Sequence, residues 1–402
     1  MNEDTRNEAF VNPAALHEGT SVLCLLSHFL PGQKSGGPVR SILAMVHQLK
    51  PIVHFHIVTS DRDFGDREPY KQLQVESWQE VSGCTVRYLA KGYRSYFSLT
   101  TLLRSEKYQS LYLNSFFNWK FSIFPLLARK VSYQCRKRTI LAPRGELSPG
   151  ALSIKWLKKR LFITSSRIID LYRDVIWHAS SEEEASEIRR FFPKAKVVVA
   201  RNLLVVPGKM LDDKNLSSLK QTSPLRVVFV SRICEKKNLD FALEVLKSVR
   251  AQIVFNIYGP QEDPIYFRKC QAIISSLPDN VAVEFRGAVS HEEIPDIFMS
   301  HDVFLFPTKG ENFGHVIYES LAVGTPVLIS DRTPWSDLNE AGAGWIIPLE
   351  MPSLFTAVLN DLASLPRRHR LEMRRKAVSY SRRIANDKVP IEQTFKLFAT
   401  VD

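Results

Sequence analysis

Two glutamates, Glu311 and Glu319, lie eight residues apart in the otherwise apolar stretch "PTKGENFGHVIYESLAVGTPVLIS", residues 307–330. A helix that begins near Gly314 directs its first amides and the positive end of its dipole at the preceding loop, which suits phosphate oxygens. Carboxylates repel phosphate but accept hydrogen bonds from hydroxyl groups. The pattern therefore predicts a nucleotide sugar, with Glu319 at the ribose and Glu311 at the transferred hexose.

A basic pair precedes the glutamates by about seventy residues, in "FVSRICEKKNLDFALEVL", residues 229–246. Arg232 and Lys237 come at the end of a predicted strand, just before a helix. An arginine can hold two phosphate oxygens in its fork and a lysine supplies a point charge. The pair is suited to a leaving diphosphate, and Lys236 is a neighbouring cation that could share this role.

Apolar runs of strand length alternate with helix-like stretches in both halves of the chain. This alternation predicts parallel sheets covered on both faces, and therefore two Rossmann-like, doubly wound α/β domains facing each other across a cleft. Strands are predicted at 20–29, 52–60, 110–117, 139–143, 174–180, 196–202, 225–232, 251–259, 281–287, 302–308 and 325–330. Helices are predicted at 35–50, 149–164, 181–192, 238–249, 291–300 and 314–323, with Ser181 and Glu184 forming a capping box.

The periodic pattern lapses into a polar stretch with proline and glycine near its ends, which is typical of a domain boundary. We predict an N-terminal acceptor domain at 19–205, a linker at 206–224 and a C-terminal nucleotide-sugar donor domain at 225–385. Residues 386–402 form a C-terminal helix, which we expect to pack outside the C-terminal sheet.

The glutamate stretch resembles the E-x7-E signature of the GT-B retaining glycosyltransferases, in particular glycosyltransferase family 4. Both glutamates, Phe313, Gly314 and "ESLAVGTPVLIS" sit where that family's pattern has them. The family also has an arginine followed five residues later by a lysine, which Arg232 and Lys237 match. The resemblance implies a GT-B fold, a nucleoside-diphosphate sugar as donor, and transfer with retention of configuration.

Further site residues follow from the resemblance. Gly36 and Gly37 resemble the family's donor-side loop, and Asn312, between the two glutamates, is assigned to donor binding with Phe313 and Gly314. On the acceptor side, Arg144 lies in "APRGELSPGALSIKWLKKRLF", which is similar to a segment of bacterial polysaccharide members. Many relatives have a histidine where this chain has Asn114, so either Asn114 or the later His178 could contact the acceptor.

The chain has 402 residues and a formal net charge of +12, and residues 129–173 hold twelve Lys or Arg against Glu146 and Asp170. This basic surface suits an anionic membrane. Two interpretations of residues 149–164 stay open: a basic amphipathic helix lying on lipid, or an ordinary helix packed on the N-terminal sheet. The apolar side would be Leu152, Trp156, Leu157, Leu161 and Phe162, flanked by Lys155, Lys158, Lys159 and Arg160.

Neither a signal peptide nor a transmembrane helix is predicted, because no long uninterrupted apolar segment follows a basic start. Together with five scattered cysteines, interpreted as buried reduced thiols, this predicts a cytoplasmic protein. Peripheral contact with the inner face of the membrane is a further hypothesis, which depends on the basic surface. No nucleic-acid partner is expected, since the basic stretch contains no recognised RNA- or DNA-binding module.

No metal or other cofactor is expected. Asp61 and Asp63 follow a strand as a D-x-D triplet, a form that holds a metal in the other transferase fold, but Arg232 and Lys237 already offer the required positive charge. His291 in "HEEIP" has no second histidine four residues later, so the segment is not a zinc helix. Ser290 and Glu293 are instead predicted to form a capping box.

The favoured function is transfer of a hexose from a nucleoside-diphosphate sugar to a hydroxyl of a glycan or a lipid-diphosphate-linked oligosaccharide, in cell-surface polysaccharide biosynthesis. The alternatives are a nucleotide-sugar epimerase of the same architecture and a non-catalytic relative that only binds the sugar nucleotide. The residues do not distinguish UDP, GDP and ADP.

Overall fold

The computed structural model describes residues 20–32, 36–153, 155–205 and 224–398. The chain divides into two compact units, Met1–Leu203 with Lys388–Asp402 and Leu204–Asp387. The predicted linker at 206–224 lies outside the described residues apart from Pro224, as do the N-terminal residues 1–19 and part of the glycine loop, 33–35.

The first unit is built on an eight-stranded sheet in the order β3-β4-β2-β1-β5-β6-β7-β8. Its strands are β1 Thr20–Leu25, β2 Val53–Ser60, β3 Trp78–Val81, β4 Cys84–Leu89, β5 Ser110–Leu113, β6 Arg138–Leu141, β7 Val175–Ala179 and β8 Lys196–Val199. Its helices are α1 Gly36–Leu49, α2 Arg94–Arg104, α3 Phe124–Val131, α4 Pro149–Ser153, α5 Trp156–Ile168 and α6 Glu182–Phe191. A π-helical turn, Trp119–Ile123, precedes α3, and a 3₁₀ turn, Tyr133–Cys135, follows it.

Neighbouring strands of this sheet run parallel, with the exception of the edge hairpin of β3 and β4. The hairpin turns at Ser82 and Gly83, both of which have positive φ, as tight hairpin turns require. The sequence did not reveal β3, because its four residues lack a buried apolar run. The central strands β5 and β7 are buried at every position, as expected for strands covered on both faces.

The second unit is built on a six-stranded sheet in the order β11-β10-β9-β12-β13-β14, and all its neighbouring strands run parallel. Its strands are β9 Leu225–Val230, β10 Ile253–Tyr258, β11 Val281–Gly287, β12 Val303–Phe306, β13 Val327–Ser330 and β14 Gly344–Ile347. Its helices are α7 Leu239–Leu246, α8 Pro264–Ile274, α9 Ile294–Met299, α10 His315–Ala322, α11 Leu338–Ala341, α12 Pro352–Ser364 and α13 Arg367–Ala385. Two 3₁₀ turns, Glu235–Lys237 and His291–Glu293, lie in its loops.

Each unit has its own apolar core, as independent domains require. In the first unit the Phe116 and Tyr172 rings stack at 5.2 Å, and the Trp177 and Phe192 rings lie 4.8 Å apart. In the second unit the buried Phe304 and Phe306 stack at 5.2 Å beneath the carboxyl end of β12. These packed aromatic side chains lie close to the carboxyl ends of β5 and β12, from which the site loops leave.

The last helix, α14 Val389–Phe398, corrects one prediction. It belongs to the first unit and does not pack outside the C-terminal sheet. Its Phe398 ring lies 5.4 Å from Phe55 and 5.9 Å from Tyr112. Arg138 Nε donates to the Leu397 carbonyl at 3.1 Å. Burial of the Phe398 ring explains the placement, because removing an apolar side chain from water into a core favours the folded state.

The predicted helix at 149–164 is interrupted. The structure has a short α4 and then α5, with Lys155 in the left-handed region at φ 55° between them. Leu152 and Phe162 pack against the first-unit core, whereas Trp156 and Leu157 are more than half exposed. The five residues predicted to form one apolar side are therefore divided between the core and the surface. Among the described helices, none combines the length and apolarity needed to cross a membrane.

Candidate active site

The predicted basic pair and the first glutamate follow two adjacent strands of the second unit, β9 and β12. The strand order reverses between them, since β10 and β11 extend to one side of β9 while β13 and β14 extend beyond β12. Loops that leave the carboxyl ends of strands at such a reversal diverge to opposite faces of the sheet, and the crevice between them is where α/β domains bind ligands. Arg232, Lys237 and Glu311 all lie on these two loops.

The side chains of Lys237 and Glu311 meet in a buried ion pair. Lys237 Nζ donates to Glu311 Oε1, and only 8% of Lys237 is exposed. The ammonium also lies 5.3 Å from the centre of the Phe306 ring, at the end of β12. A pair this enclosed is weak evidence for stability, because desolvating both charges offsets most of their attraction.

Two loop contacts hold Lys237 in place. Asn238 adopts a left-handed conformation at φ 61° and its Nδ2 donates to the Pro307 carbonyl at 2.9 Å. The amide of Lys309 donates to the Lys236 carbonyl at 2.9 Å. The loop after β9 is thereby joined to the loop after β12. Asn238 was not predicted as a site residue from the sequence. Asparagine adopts the left-handed conformation more readily than most residues, and this preference was the available signal.

The environment of Lys237 lowers the pKa of its ammonium group. Burial is the largest cause, and with the nearby cations Arg232 and Lys236 it lowers the pKa of Lys237 to about 7. The Glu311 carboxylate acts in the opposite direction, since an adjacent negative charge favours the ammonium. A bound diphosphate would add to the effect of Glu311. The charge of Lys237 is therefore sensitive to what occupies the crevice.

Arg232 has a different acid partner, Glu262. Arg232 Nη1 lies 2.7 Å from Glu262 Oε2, and both side chains are partly exposed. The structure thus brings Arg232 near Lys237 but assigns each cation its own carboxylate. An exposed pair of this kind contributes little to stability, so Arg232 can exchange its partner for a phosphate at low cost.

The loop before α10 is shaped by Gly314 and Trp335. Gly314 caps the helix at φ 78°, a conformation that favours glycine, and Ile317 N donates back to its carbonyl at 2.8 Å. Trp335 Nε1 donates to the Phe313 carbonyl at 2.5 Å, and the two rings lie 5.6 Å apart. Asn312 Nδ2, also in this loop, is buried and has no hydrogen-bond partner among the described residues. The loop therefore retains an unused donor.

Glu319 lies on α10 and is 8% exposed. His291 Nε2 lies 3.7 Å from Glu319 Oε1, in a turn where Ser290 and Glu293 form the predicted capping box. That capping-box prediction is confirmed, since Ser290 N and Oγ both donate to Glu293 Oε2. The nearness of His291 to Glu319 was missed, because it depends on the path of the chain between β11 and α9.

On the first unit, the two acceptor-side candidates are in direct contact. Arg144 Nε donates to Asn114 Oδ1 at 2.7 Å, and Arg144 Nη2 donates to Tyr112 Oη at 2.9 Å. Arg144 Nη1 donates to Asn202 Oδ1. Asn114, Arg144 and Asn202 follow three strands, β5, β6 and β8, and so converge at the carboxyl edge of the sheet. Neither Tyr112 nor Asn202 was predicted as a site residue from the sequence, although Asn202 is the last residue of a predicted strand.

His178 is a buried member of the same network and not an acceptor contact. Since arginine only donates, Tyr112 Oη accepts from Arg144 and donates to His178 Nδ1 at 2.7 Å. His178 Nε2 then carries the proton and donates to the Ala200 carbonyl at 2.8 Å. Burial, reinforced by the Arg144 cation, lowers the pKa of His178 to about 3. The imidazole is therefore neutral and fully engaged, which leaves it a positioning role.

The predicted capping box of Ser181 and Glu184 forms only in part. Ser181 Oγ accepts from Glu184 N at 3.2 Å, but the Glu184 carboxylate accepts from Ser180 N and from Gly145 N, at 2.8 and 2.6 Å. The buried carboxylate thus anchors the turn at Arg144, whose φ of 56° is unusual for a non-glycine residue. The sequence pattern identified the helix start but not this longer-range bond.

Gly36 and Gly37 begin α1 and are exposed. A Cβ added at either position would meet nothing within 4 Å, so the first unit itself does not require glycine there for space. Asp61 of the D-x-D triplet pairs with Arg62 at 2.8 Å. Among the described residues, no three His, Cys, Asp or Glu side chains are grouped so as to hold a metal. Of the five free cysteines, Cys234 is only half-buried.

Comparison with known proteins agrees with this geometry. The family described as "Glycosyl transferases group 1" matches residues 212–383. The matched residues cover most of the second unit. The crystal structure of Anabaena Alr3699/HepE in complex with UDP and glucose aligns with a TM-score of 0.69 and 15% identity, covering 94% of this chain and 98% of HepE. The chain thus has the GT-B fold that the sequence predicted.

Two curated relatives are similar over shorter spans. A 41.2 kDa protein in the cps region of Klebsiella pneumoniae is 26% identical over 57% of this chain and 62% of its own length. A putative colanic acid biosynthesis glycosyltransferase, WcaL of Salmonella typhimurium, is 31% identical over 31% of this chain and 32% of its own length. The chain thus spans less than two thirds of either relative.

Gly314→Ala tests whether the left-handed cap sets the loop. A Cβ at this position would lie 2.8 Å from Ile317 Cδ1 and 3.6 Å from Trp335 Nε1. Left-handed backbone also costs a non-glycine residue roughly 1–2 kcal/mol. We expect the free energy of unfolding of the second unit, measured by denaturant titration, to fall by at least about that amount.

The matched control for this substitution is Gly310→Ala in the same loop. There the nearest atom to an added Cβ is Lys236 Cε at 3.9 Å, and φ is not in the left-handed region. We expect a change within about 0.5 kcal/mol. Equal effects of the two substitutions would contradict the assigned role of Gly314.

Proposed function

We propose that the protein is a retaining glycosyltransferase of glycosyltransferase family 4. It transfers a hexose from a nucleoside-diphosphate sugar to a hydroxyl of a glycan or lipid-diphosphate-linked oligosaccharide, in cell-surface polysaccharide biosynthesis. The observation that carries the proposal is the buried pair of Lys237 and Glu311 at the strand reversal, beside the start of α10. A buried pair of this kind is weak evidence for stability, whereas a sugar diphosphate would use both charges.

The donor is proposed to bind with its diphosphate at Arg232, Lys237 and the first amides of α10, where the helix dipole adds partial positive charge. Glu311 accepts hydrogen bonds from the hexose and Glu319 from the ribose. Asn312 Nδ2, buried without a partner in the described structure, is available as a further donor. The complex of HepE with UDP and glucose supports a ligand of this class.

In the proposed reaction the bond between the anomeric carbon and the diphosphate oxygen breaks, and a bond from that carbon to the acceptor oxygen forms on the same face. The acceptor proton passes to the departing diphosphate oxygen, so no side-chain base is required. Lys237 and Arg232 stabilise the negative charge that develops on the leaving group. They supply the positive charge that a metal would otherwise bring, and the proposal includes no metal or other cofactor.

The acceptor is proposed to be a growing surface polysaccharide. The similarity to WcaL, a putative colanic acid biosynthesis glycosyltransferase, supports this class of pathway. The acceptor-side residues would be Arg144 and Asn114 on the first unit, at the carboxyl edge of its sheet. A nucleic-acid partner is not part of the proposal.

We further propose a cytoplasmic protein that lies on the inner face of the membrane. Trp156, Leu157 and Leu161 on α5 are more than half exposed. Lys155, Lys158 and Arg160 are exposed beside them. Exposed apolar side chains flanked by cations are typical of helices that lie in an anionic interface.

The Glu319→Ala substitution tests the donor site. A hydrogen bond to a charged group contributes roughly 1.5–3 kcal/mol, and about 1.4 kcal/mol is a factor of ten. We expect donor turnover to fall at least about tenfold while the melting temperature stays near the wild-type value. Turnover is measured with radiolabelled UDP-, GDP- and ADP-sugars, and product analysis separates transfer from epimerisation.

Glu292→Ala is the control for Glu319→Ala, because Glu292 is exposed and adjacent to the histidine that approaches Glu319. It should leave turnover unchanged. Wild-type turnover in purified Glu319→Ala would refute the donor-site assignment. Tight sugar-nucleotide binding without any consumption of donor would instead favour a non-catalytic relative.

The pH dependence of donor binding tests Lys237. A sugar diphosphate prefers the ammonium form, and the pKa of Lys237 in the free protein is about 7. As the pH rises above that value, Lys237 in the unbound protein loses its positive charge. Binding of the sugar diphosphate then requires Lys237 to take up a proton. We expect affinity for the nucleoside-diphosphate sugar, measured by calorimetry, to fall by up to about tenfold per pH unit above about pH 7.

Lys237→Arg is the control for this pH series. An arginine keeps its charge across the range, so the affinity of the variant should be nearly independent of pH. A nucleotide sugar is the probe because its diphosphate is a diester without a proton that titrates near pH 7. A wild-type affinity that does not change with pH would contradict the role of Lys237.

Liposome flotation tests the membrane surface. We expect the wild-type protein to float with anionic vesicles and to be released by salt, because both apolar burial and charge contribute. The triple substitution Trp156→Ser, Leu157→Ser, Leu161→Ser should abolish flotation. The control, Tyr93→Ser with Phe97→Ser, removes two exposed rings at the start of α2 and should not abolish flotation. Equal flotation with neutral vesicles would remove the physical basis of the proposal.

A further inference from the structure

The guanidinium of Arg144 has no counter-ion among the described residues. It is half-buried, and its three hydrogen bonds go to Asn114 Oδ1, Asn202 Oδ1 and Tyr112 Oη, all of which are neutral. A buried charge is usually paired, because leaving it without a partner is costly. The neutral partners therefore orient the guanidinium without neutralising it.

Two carboxylates hold the loops around Arg144, and both are engaged by other hydrogen-bond donors. Glu146 accepts from Phe116 N and Phe117 N at 2.7 and 2.9 Å, and from Ser115 Oγ at 2.8 Å. Glu184 accepts from Gly145 N, Ser180 N and Ser180 Oγ. Both carboxylates thus hold the loops around Arg144, and neither forms an ion pair with it.

Asn114 provides a second, independent observation. Its side chain is 5% exposed, its Oδ1 accepts from Arg144, and its Nδ2 is buried without a hydrogen-bond partner. A buried amide group left unpaired costs free energy, so such a group requires an explanation. Because the amide oxygen is fixed by Arg144, the unpaired nitrogen is held in a defined position beside the guanidinium.

The buried side-chain atom of this cluster that lacks a hydrogen-bond partner, Asn114 Nδ2, is a donor. A guanidinium has five N–H donors, and Arg144 uses three of them here. Tyr112 and His178 are saturated by the relay that ends at the Ala200 carbonyl. A ligand that satisfies Asn114 and Arg144 together must bring acceptor lone pairs and negative charge. A neutral hydroxyl would satisfy the amide and leave the cation without a partner.

The cluster lies at the reversal of strand order, the place where doubly wound sheets bind ligands. Asn114 follows β5 and donates its backbone amide to the Leu25 carbonyl at the end of β1, at 3.0 Å. The strand order of the first unit reverses between β1 and β5, which marks the ligand crevice of a doubly wound sheet.

We propose that Arg144 and Asn114 bind an oxyanion carried by the acceptor, either a phosphate or a carboxylate. The inference rests on the proposed function, to which it adds that the acceptor is anionic close to the reacting hydroxyl. A diphosphate link to a lipid and an acidic sugar both offer this chemistry. Tyr112, His178 and Asn202 are positioning residues that act through Arg144.

Asn114→Asp is the decisive substitution. It keeps the size of the side chain and places a carboxylate against Arg144, so the variant supplies its own counter-ion. We expect the melting temperature to stay the same or to rise. We expect affinity for the external anion, measured by calorimetry, to fall at least about tenfold, the loss expected when a charged hydrogen-bond partner is withdrawn.

The probes are inorganic pyrophosphate and D-glucuronate in separate titrations of the full chain. Both titrations are made in a Lys237→Ala background, so that the diphosphate crevice of the second unit does not contribute. Binding of pyrophosphate alone would assign a lipid-linked diphosphate, and binding of glucuronate alone an acidic sugar. Either result supports an oxyanion site if Asn114→Asp removes it.

Asn118→Asp is the matched control, with the same change of charge in the same unit. Asn118 Oδ1 accepts from Phe121 N at 2.8 Å, a bond that aspartate can also accept. The variant should bind the anions as the parent does. Equal loss in both variants would indicate only long-range electrostatics and would overturn the proposal, as would the absence of any anion binding to the parent.

The outcome is separable from that of the proposed function. Nucleotide-sugar binding at Lys237 and Glu319 is measured on the otherwise unmodified chain. If that binding fails while anion binding at Asn114 persists, the donor assignment falls and the oxyanion site stands. If the donor binds and Asn114→Asp leaves anion affinity unchanged, the reverse holds.

Discussion

The reversal of strand order in each parallel sheet is the constraint on which both candidate sites depend. Where β9 lies beside β12, and β1 beside β5, the connections leave the carboxyl ends of the two strands toward opposite faces. Loops at these points can reach a ligand without interrupting the ladder of backbone hydrogen bonds. Lys237 lies at the first of these places, and Arg144 with its buried neighbour His178 lies at the second.

The two candidate sites differ in the partners of their buried charged groups. In the second unit, Lys237 and Glu311 are buried together, and each limits the cost of burying the other. In the first unit, Arg144 is oriented by neutral groups only, and the acids Glu146 and Glu184 are used to hold backbone amides. The first arrangement suits a ligand with both hydroxyls and phosphates. The second suits a ligand that brings negative charge alone.

Packing contacts and hydrogen bonds support the loops that carry both candidate sites. Aromatic layers lie beneath the ends of β5 and β12, and bonds such as Trp335 Nε1 to the Phe313 carbonyl fix the loops above them. The Phe398 ring of α14 lies close to the Tyr112 ring, and the Tyr112 hydroxyl accepts a hydrogen bond from Arg144. Such support matters because electrostatic stabilisation of a reaction depends on groups that do not need to reorganise.

The sequence by itself determined the alternation of strands and helices, the start of α10 at Gly314 and the candidate residues, because these depend on local periodicity, chain stiffness and spacing. It also predicted that Lys237 and Glu311, which are far apart in the chain, serve one ligand, and the structure brings the two side chains together. Only the tertiary structure decided that Asn114 and Arg144 share a hydrogen bond, that His178 is buried behind Tyr112, and that α14 belongs to the first unit. Those facts depend on which strands lie side by side and on which side chains are desolvated, and neither is encoded in any short stretch of residues.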